Sequence, residues 1–564
     1  MAVILLAVLA ASIAGCKRGE EPIKGPVTFN KHIAPIVFKN CASCHHPGQI
    51  GPFPLLTYND VKKRAKQVVE VTHSRYMPPW LPDGPRDEFV GDRRLTDREL
   101  ELLARWQKDG LLEGETKDPP PEPQFSNDWP LGKPDLVVTL PAPFKLAAEG
   151  PDIYRNFVFP LGLTEGRWVR ATDIRPNSPA VHHGLMAFDN KGAARRWDER
   201  DAEPGFASFT MPPSLESPPH FLAWLPGVLP RLVQPGLAWK LKPNTDLVLQ
   251  AHLRSTGKAE EVSPQIALYF TDQAPTNEPT KLQTSPLRFT IPAGASNHLI
   301  HAELPLKGEA EILAVYPHTH FLAREITLRV RLPDGTGRTL LHIPQWDFNW
   351  QDYYRFVKPP VVPAGSVFET DMVFDNSPGN PRNPNHPPKE VRYGLESSDE
   401  MATMSVQLLP TTPASAKAIN EWLVQDLIQF THEFNTYLLE REPTNVHAHV
   451  GLGRSLYIQK KYDAAAQHLA LARQLDPRDE DAALLSGIVA QFRGRADEAR
   501  TNFEDCIRIN PNHPRAHACL AMLAMEQGWK EIAEMQWYEV LRLDPNDATA
   551  KGLLQQVKAR RTGR

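Results

Sequence analysis

Apolar side chains fall along this chain in three different rhythms. From residue 135 to about residue 410, short runs alternate apolar and polar positions: D-L-V-V-T-L, Y-R-N-F-V-F, R-W-V-R-A-T-D-I, D-L-V-L-Q-A-H-L, Q-I-A-L-Y-F, L-R-F-T-I and S-V-F-E-T-D-M-V-F. A period of two, broken by Pro, Gly and Asn, is the pattern of half-buried strands joined by turns. A stretch of that length suits two β-sandwich domains, expected over 135–275 and 282–412. On the N-terminal side, apolar positions near residue 34 and over 96–108 recur at helical spacing, which predicts amphipathic helices in a small domain spanning 27–117. Prolines 119–121 and 123 predict a stiff linker within 118–134. On the C-terminal side the pattern is helical and repeats: Pro443, Pro477, Pro511 and Pro545 recur every 34 residues. Gly453, Gly487 and Ala521, then Ala465, Ala499 and Ala533, keep the same register. The expected fold class is therefore multidomain: a small all-α domain, two all-β sandwiches and a C-terminal α-helical solenoid.

The period of 34, with small residues where paired helices must approach closely, is that of tetratricopeptide repeats, expected over 416–560. Such an array implies a protein partner. The helical stretch 416–440 either completes the first repeat or docks the array on the sandwich. Cys506 falls where the repeat buries a small apolar residue, so a core thiol is expected, and its pairing with Cys519 stays open.

Composition adds the compartment. Proline, at 55 of 564 residues, is about twice its usual share, which favours short strands and loops over an all-helical protein. A formal net charge of −4 gives no global basic field, so no nucleic-acid partner is expected. Residues 2–15 are almost wholly apolar yet too few to span a bilayer, and they end in I-A-G-C. This resembles the bacterial lipoprotein signal, which implies acylation of Cys16 and a periplasmic-side lipoprotein held to the membrane. No Lys or Arg precedes the apolar run, which leaves an upstream start or an uncleaved anchor as alternatives.

Cys41 and Cys44 lie in C-A-S-C-H, which resembles the haem attachment motif of c-type cytochromes. The resemblance implies one covalent c-type haem, with both thiols as thioethers and His45 as proximal ligand. Met77, in R-Y-M-P-P-W, is the expected distal ligand. A zinc or redox C-x-x-C is the alternative, but no second C-x-x-C completes a zinc site. A haem of this kind also implies an electron donor.

The β region carries His182-His183 in P-A-V-H-H-G-L-M-A-F and His252 in L-V-L-Q-A-H-L-R. It also carries His318 and His320 in A-V-Y-P-H-T-H-F-L-A, and Met401 at the end of S-S-D-E-M. On a strand, side chains two residues apart share a face, so His318 and His320 are expected to project together. An isolated H-x-H reads most simply as two ordinary strand histidines; the other histidines and the methionine change the weighing. As a set they resemble the copper type II, ascorbate-dependent monooxygenases, the peptidylglycine α-hydroxylating and dopamine β-hydroxylating family. The resemblance covers about half the chain. It implies two copper ions, one held by His182, His183 and His252, the other by His318, His320 and Met401. It further implies hydroxylation of a substrate C–H bond by dioxygen at the second copper, the first supplying an electron. The donor chemistry agrees, since a thioether is soft and favours Cu(I). Met404 is the competing methionine. Adjacent His182 and His183 point to opposite faces of a regular strand, so a turn or bulge is required to bring both to one metal.

The chain departs from the family at three points. Its β region contains no cysteine, so the sandwiches lack the family's disulfides. Tyr316 stands where the peptide-amidating members grip a carboxylate with Arg, and Ser405 where they have Tyr, which argues against a peptidylglycine substrate. The organic substrate itself is left unidentified. Three rivals remain: zinc at the three-histidine site, a copper and haem electron-transfer or copper-binding assembly without oxygenase activity, and a scaffold with degenerate sites.

Overall fold

The structure, a computed structural model, describes residues 25–561 apart from 48–50, 116–128, 210, 213–214, 217 and 219. Cys16 and the linker prolines 119–121 and 123 lie outside the described residues. The chain separates into two compact units, Met1–Trp80 with Gly91–Gly132, and Leu81–Val90 with Lys133–Arg564. Residues 81–90, expected in the first domain, thus belong to the second unit. There Phe89 bridges to Phe356, and Val90 N–H donates to Arg355 O at 2.8 Å.

In the first unit the regular elements among the described residues are helical: Phe29–Ile33 running into Ala34–Asn40, then Tyr58–His73 and Asp97–Lys108. The last starts where a capping box forms, Thr96 Oγ1 accepting from Glu99 N and the Glu99 carboxylate from Thr96 N. Helix Tyr58–His73, absent from the sequence expectation, opens on the same device with Thr57 and Asp60. Its buried positions, Val61, Ala65, Val68 and Thr72, keep a helical spacing but are small and separated by charged residues. Phe29, Ile33, Val37, Leu103 and Trp106 close the core between the helices.

In the second unit, the first sandwich has a four-stranded sheet ordered Leu136–Thr139, Gln265–Thr271, Arg167–Arg175, Trp239–Leu241. The other sheet is ordered Phe206–Ala207, Ile153–Pro160, Asp246–Leu253, Val181–Asp189, Ala223–Trp224. Alternate residues of Asp246–Leu253 divide its two faces. Leu247, Leu249, Ala251 and Leu253 join Phe157, Val169 and Ile266 in the sandwich core. Gln250 and His252 therefore face away from that core, yet both are buried, because further structure covers this side.

The second sandwich starts at Thr280. One sheet is ordered Thr280–Thr284, Thr403–Pro410, Ala310–His318, Tyr354–Arg355. Its partner is ordered His298–Pro305, Val367–Phe374, Ala323–Arg331, Gly337–Ile343. All pairings within these sheets are antiparallel. The chain passes from the first sheet to the second through residues 319–322, and this crossing carries His320.

Helix Pro413–Arg441 leads into helix pairs Val446–Ile458 with Tyr462–Leu475, Glu480–Phe492 with Ala496–Ile509, and Pro514–Gln527 with Lys530–Leu543, then Ala548–Arg561. Small residues sit where the pairs touch: a Cβ on Gly453 would meet Leu469 at 2.7 Å, and one on Gly487 would meet Phe503 at 2.5 Å. Cys506 and Cys519 are both buried and both free. The array is seated on the sandwiches at two places. Tyr437 Oη and Arg441 Nη1 donate to Tyr393 O, while Arg196 pairs with Glu480 and Trp197 stacks on His447. No described helix is long and apolar enough to cross a membrane.

Candidate metal centre

The three-histidine set forms through the bulge that adjacency required. Strand Val181–Asp189 pairs Val181 with Leu253 and then His183 with His252, slipping register between them. The extra residue, His182, is thereby turned toward the same point. The three ligand atoms lie within 4.8 Å of one another. His182 Nε2, His183 Nδ1 and His252 Nδ1 are all buried and have no hydrogen-bond partner. Buried ring nitrogens are seldom left unpaired, and three facing one point fit a metal ion. Burial, reinforced by the neighbouring imidazoles, holds the pKa values of His182 and His183 far below the ordinary range, so both rings are neutral and carry a lone pair for a metal.

His252 has its other nitrogen fixed. Nε2 lies 2.9 Å from a carboxylate oxygen of Asp152, an arrangement that orients the ring and makes Nδ1 the available donor. Tyr154 stacks on the same ring at 4.5 Å and 13°. Burial alone would raise the Asp152 pKa. Hydrogen bonds from His252 and Ser397, with the Arg254 charge, outweigh it and hold the Asp152 carboxyl below its ordinary pKa.

His318 and His320 come together differently from the expectation. Their rings are 5.5 Å apart at 83°, but only His318 is in a strand; His320 lies in the sheet-to-sheet crossing. Strand alternation therefore does not place them. The buried Glu400 side chain does, accepting hydrogen bonds from Thr319 Oγ1, His320 N and Leu322 N. His318 Nδ1 is 2.7 Å from Gln351 Oε1 and His320 Nδ1 is 3.1 Å from Asp399 O. Both acceptors fix an Nδ1–H tautomer, which leaves the two Nε2 lone pairs free for a metal. Burial lowers the pKa of His318 to about 4 and of His320 to about 3, so both are neutral near pH 7.

Met401 follows Glu400 directly, and its N–H donates to the same carboxylate at 3.2 Å. It is buried in an apolar cluster with Leu287, Tyr393 and Tyr437. Met404 is register-paired with Pro317, whereas His318 is paired with Thr403. Paired residues share a face and neighbours alternate, so Met404 and His318 face opposite sides of the sheet.

The two sets of imidazoles abut. His183 and His318 rings are 5.8 Å apart, and Phe348 touches both His182 and His320. Asp152 and Tyr154, which hold His252, also grip the second sandwich: Asp152 accepts from Ser397 Oγ, and Tyr154 Oη donates to Leu395 O at 2.8 Å. Sequence reasoning missed Asp152, Tyr154, Gln351 and Glu400 as supports. Glu400 alone had a signal, its place in the D-E-M string; the others are distant in sequence from the rings they hold.

In the first unit, Cys41 and Cys44 are free and half-buried, and His45 N–H donates to Cys41 O at 3.0 Å. His45 Nδ1 lies 3.0 Å from Phe53 O, which leaves Nε2 as the open donor and fits an axial haem ligand. A Cβ on Gly51 would meet Cys44 O at 2.5 Å and His45 Nδ1 at 2.8 Å, so this turn needs glycine. Met77 is half-buried beyond helix Tyr58–His73, its N–H donating to Val71 O at 3.0 Å.

Comparison with known proteins bears on the C-terminal array. A tetratricopeptide repeat family model matches residues 433–480 and 484–548, so this region consists of such repeats. A probable UDP-N-acetylglucosamine–peptide N-acetylglucosaminyltransferase SPINDLY from Eustoma exaltatum subsp. russellianum is 30% identical over 141 residues, 25% of this chain and 15% of that protein. The Arabidopsis thaliana protein of the same description is 31% identical over 86 residues, 15% of this chain and 9% of that one. The chain thus spans only a small part of these relatives. Among solved structures, YrrB, a tetratricopeptide protein with an unusual peptide-binding site, is 19% identical with a TM-score of 0.23, covering 26% of this chain and 75% of that one. MamA is 15% identical with a TM-score of 0.24, covering 25% and 83%.

Proposed function

We propose that the β region is a copper-dependent monooxygenase module that hydroxylates a C–H bond of an organic substrate with dioxygen. The observation that carries this reading is the set of five adjoining imidazoles, four buried and His318 half-buried, in which His182 Nε2, His183 Nδ1 and His252 Nδ1 have no hydrogen-bond partner and other groups engage Nδ1 of His318 and His320. His182, His183 and His252 would hold one copper, and His318, His320 and Met401 the other. When bound, the second copper supplies dioxygen activation and the first supplies an electron. The protein's own part is to keep the His182, His183, His318 and His320 rings neutral by burial and to orient His252, His318 and His320 through Asp152, Gln351 and Asp399 O. Phe348 and Tyr154 wall the rings from water.

In the same reading Cys41, Cys44, His45 and Met77 would hold a covalent c-type haem, which would supply electrons taken from an external donor. The I-A-G-C string supports export and a lipid anchor at Cys16, and the repeats support a protein partner. Metal analysis of the full chain after copper-replete expression, together with haem staining in denaturing gels, tests the loading; two coppers and one covalent haem per chain are expected. Zinc in place of copper would end the reading. Full loading without substrate-dependent oxygen uptake would leave the electron-transfer assembly in its place.

A further inference from the structure

Besides the metal centre, the second unit contains a cavity of about 90 Å³. The segment 220–234 of the first sandwich forms one wall, and Tyr353, Arg355 and Gln407 of the second sandwich close it. Phe221, Trp224, Trp239 and Tyr353 contribute rings to an otherwise largely aliphatic lining, and His220 packs on Trp239 at 5.0 Å.

What sets it apart is the number of hydrogen-bonding atoms left unpaired around it. Trp239 Nε1, Arg231 Nη1 and Arg355 Nε are all buried donors without a partner. Leaving a buried donor unmet is costly, more so for a charged group, so three around one cavity point to an acceptor that belongs there. The charge balance points the same way. Arg231 faces Asp352 at 3.6 Å, and Arg355 donates Nη1 to Leu232 O, a neutral carbonyl. Asp173 also lines the cavity, with Oδ2 unpaired; it can take a hydroxyl or share a proton. Water alone can fill such a space, but it does not need rings on several sides or a guanidinium lacking a carboxylate.

We propose that this cavity is a binding site for a small aromatic carboxylate, its ring against Trp224, Trp239 and Phe221 and its carboxylate on Arg355, Arg231 and Trp239 Nε1. The Phe221 ring is 5.8 Å from Tyr316, and Tyr316 is 6.1 Å from the His318 ring, so the site lies two aromatic rings from the metal centre. That such a ligand is the substrate rests on the copper reading; that it binds does not.

The test is calorimetric titration of the full chain with benzoate, against benzyl alcohol as the uncharged probe, in copper-free and copper-loaded protein. Saturable binding of benzoate at one site per chain, in both forms and at least tenfold tighter than benzyl alcohol, is expected. Arg355→Gln and Arg231→Gln should each weaken it at least tenfold, and Arg329→Gln on the exposed sheet should not. Because Arg355 also secures the 220–234 segment, Trp239→Phe serves as a variant that removes one donor and keeps the ring; a loss of at least threefold is expected. Equal binding of the two probes, or indifference to all three cavity variants, would overturn the proposal. Binding confined to copper-loaded protein would put benzoate on the metal and overturn it as well, whereas binding by a protein that takes up no copper would uphold the cavity and sink only the copper reading.

Discussion

Asp152 is the support whose removal tests the three-histidine site most directly. Its carboxylate is 2.9 Å from His252 Nε2, also accepts from Ser397 Oγ, and lies 3.8 Å from Arg254. In Asp152→Ala the buried His252 ring keeps the Tyr154 stack but loses its Nε2 hydrogen bond, so its tautomer and the aim of Nδ1 toward His182 and His183 are no longer fixed. Loss of such an outer carboxylate typically costs 10–100-fold in metal affinity, on the order of 1.4–2.7 kcal/mol. Breaking a hydrogen bond to a charged group adds a comparable loss of fold stability, about 1.5–3 kcal/mol. Asp152→Asn keeps an oxygen acceptor for Nε2–H and gives up only the charge, so affinity should fall in the order Asp, Asn, Ala. Copper competition titrations against a chelator of known affinity read the first effect, and denaturant midpoints by circular dichroism read the second. An Asp152→Ala protein that is folded and binds copper at the three-histidine site as tightly as the parent would refute the reasoning.

Three further outcomes follow from the geometry. Met401→Ala should weaken Cu(I) binding at the His318–His320 site while Met404→Ala, on the opposite sheet face, leaves it unchanged; the reverse result in a bicinchoninate competition assay would displace the ligand assignment by one strand face. Burial pushes the Asp173 pKa from 3.8 up to about 6 despite the Arg175 charge, so the native state resists ionising it and stability falls as pH rises from about 4 through 6. Asp173→Asn should therefore gain on the order of 2–3 kcal/mol over the parent at pH 8 relative to pH 4, read from urea midpoints, and a gap independent of pH would contradict it. Gly51→Ala forces a Cβ against Cys44 O and His45 Nδ1, so covalent haem per chain should drop several-fold on stained gels while copper loading persists; normal haem incorporation would show that this turn opens freely.

Much of the architecture was legible in the chain because it depends on local rhythm. Alternation of period two, imposed by strand geometry, marked the strands, and the spacing of Pro443, Pro477, Pro511 and Pro545, the length of one stacked helix pair, marked the repeats. The bulge at His182 was also forced in advance, since two adjacent residues cannot reach one point from a regular strand. Tertiary structure decided the rest. Whether 416–440 completes a repeat or docks the array was settled by packing, as helix Pro413–Arg441 does both, meeting the next helix and gripping Tyr393 O. The His318–His320 pair looked like a matter of strand alternation, yet a carboxylate 80 residues away, on Glu400, folds the crossing that carries His320. Asp152 reaches His252 across 100 residues, because antiparallel pairing lays strand Ile153–Pro160 beside Asp246–Leu253. Spacing along a chain reports which side chains share a face of one element. Which elements meet, and which buried polar atoms are then left to hold a ligand, is fixed only when the sheets close on one another.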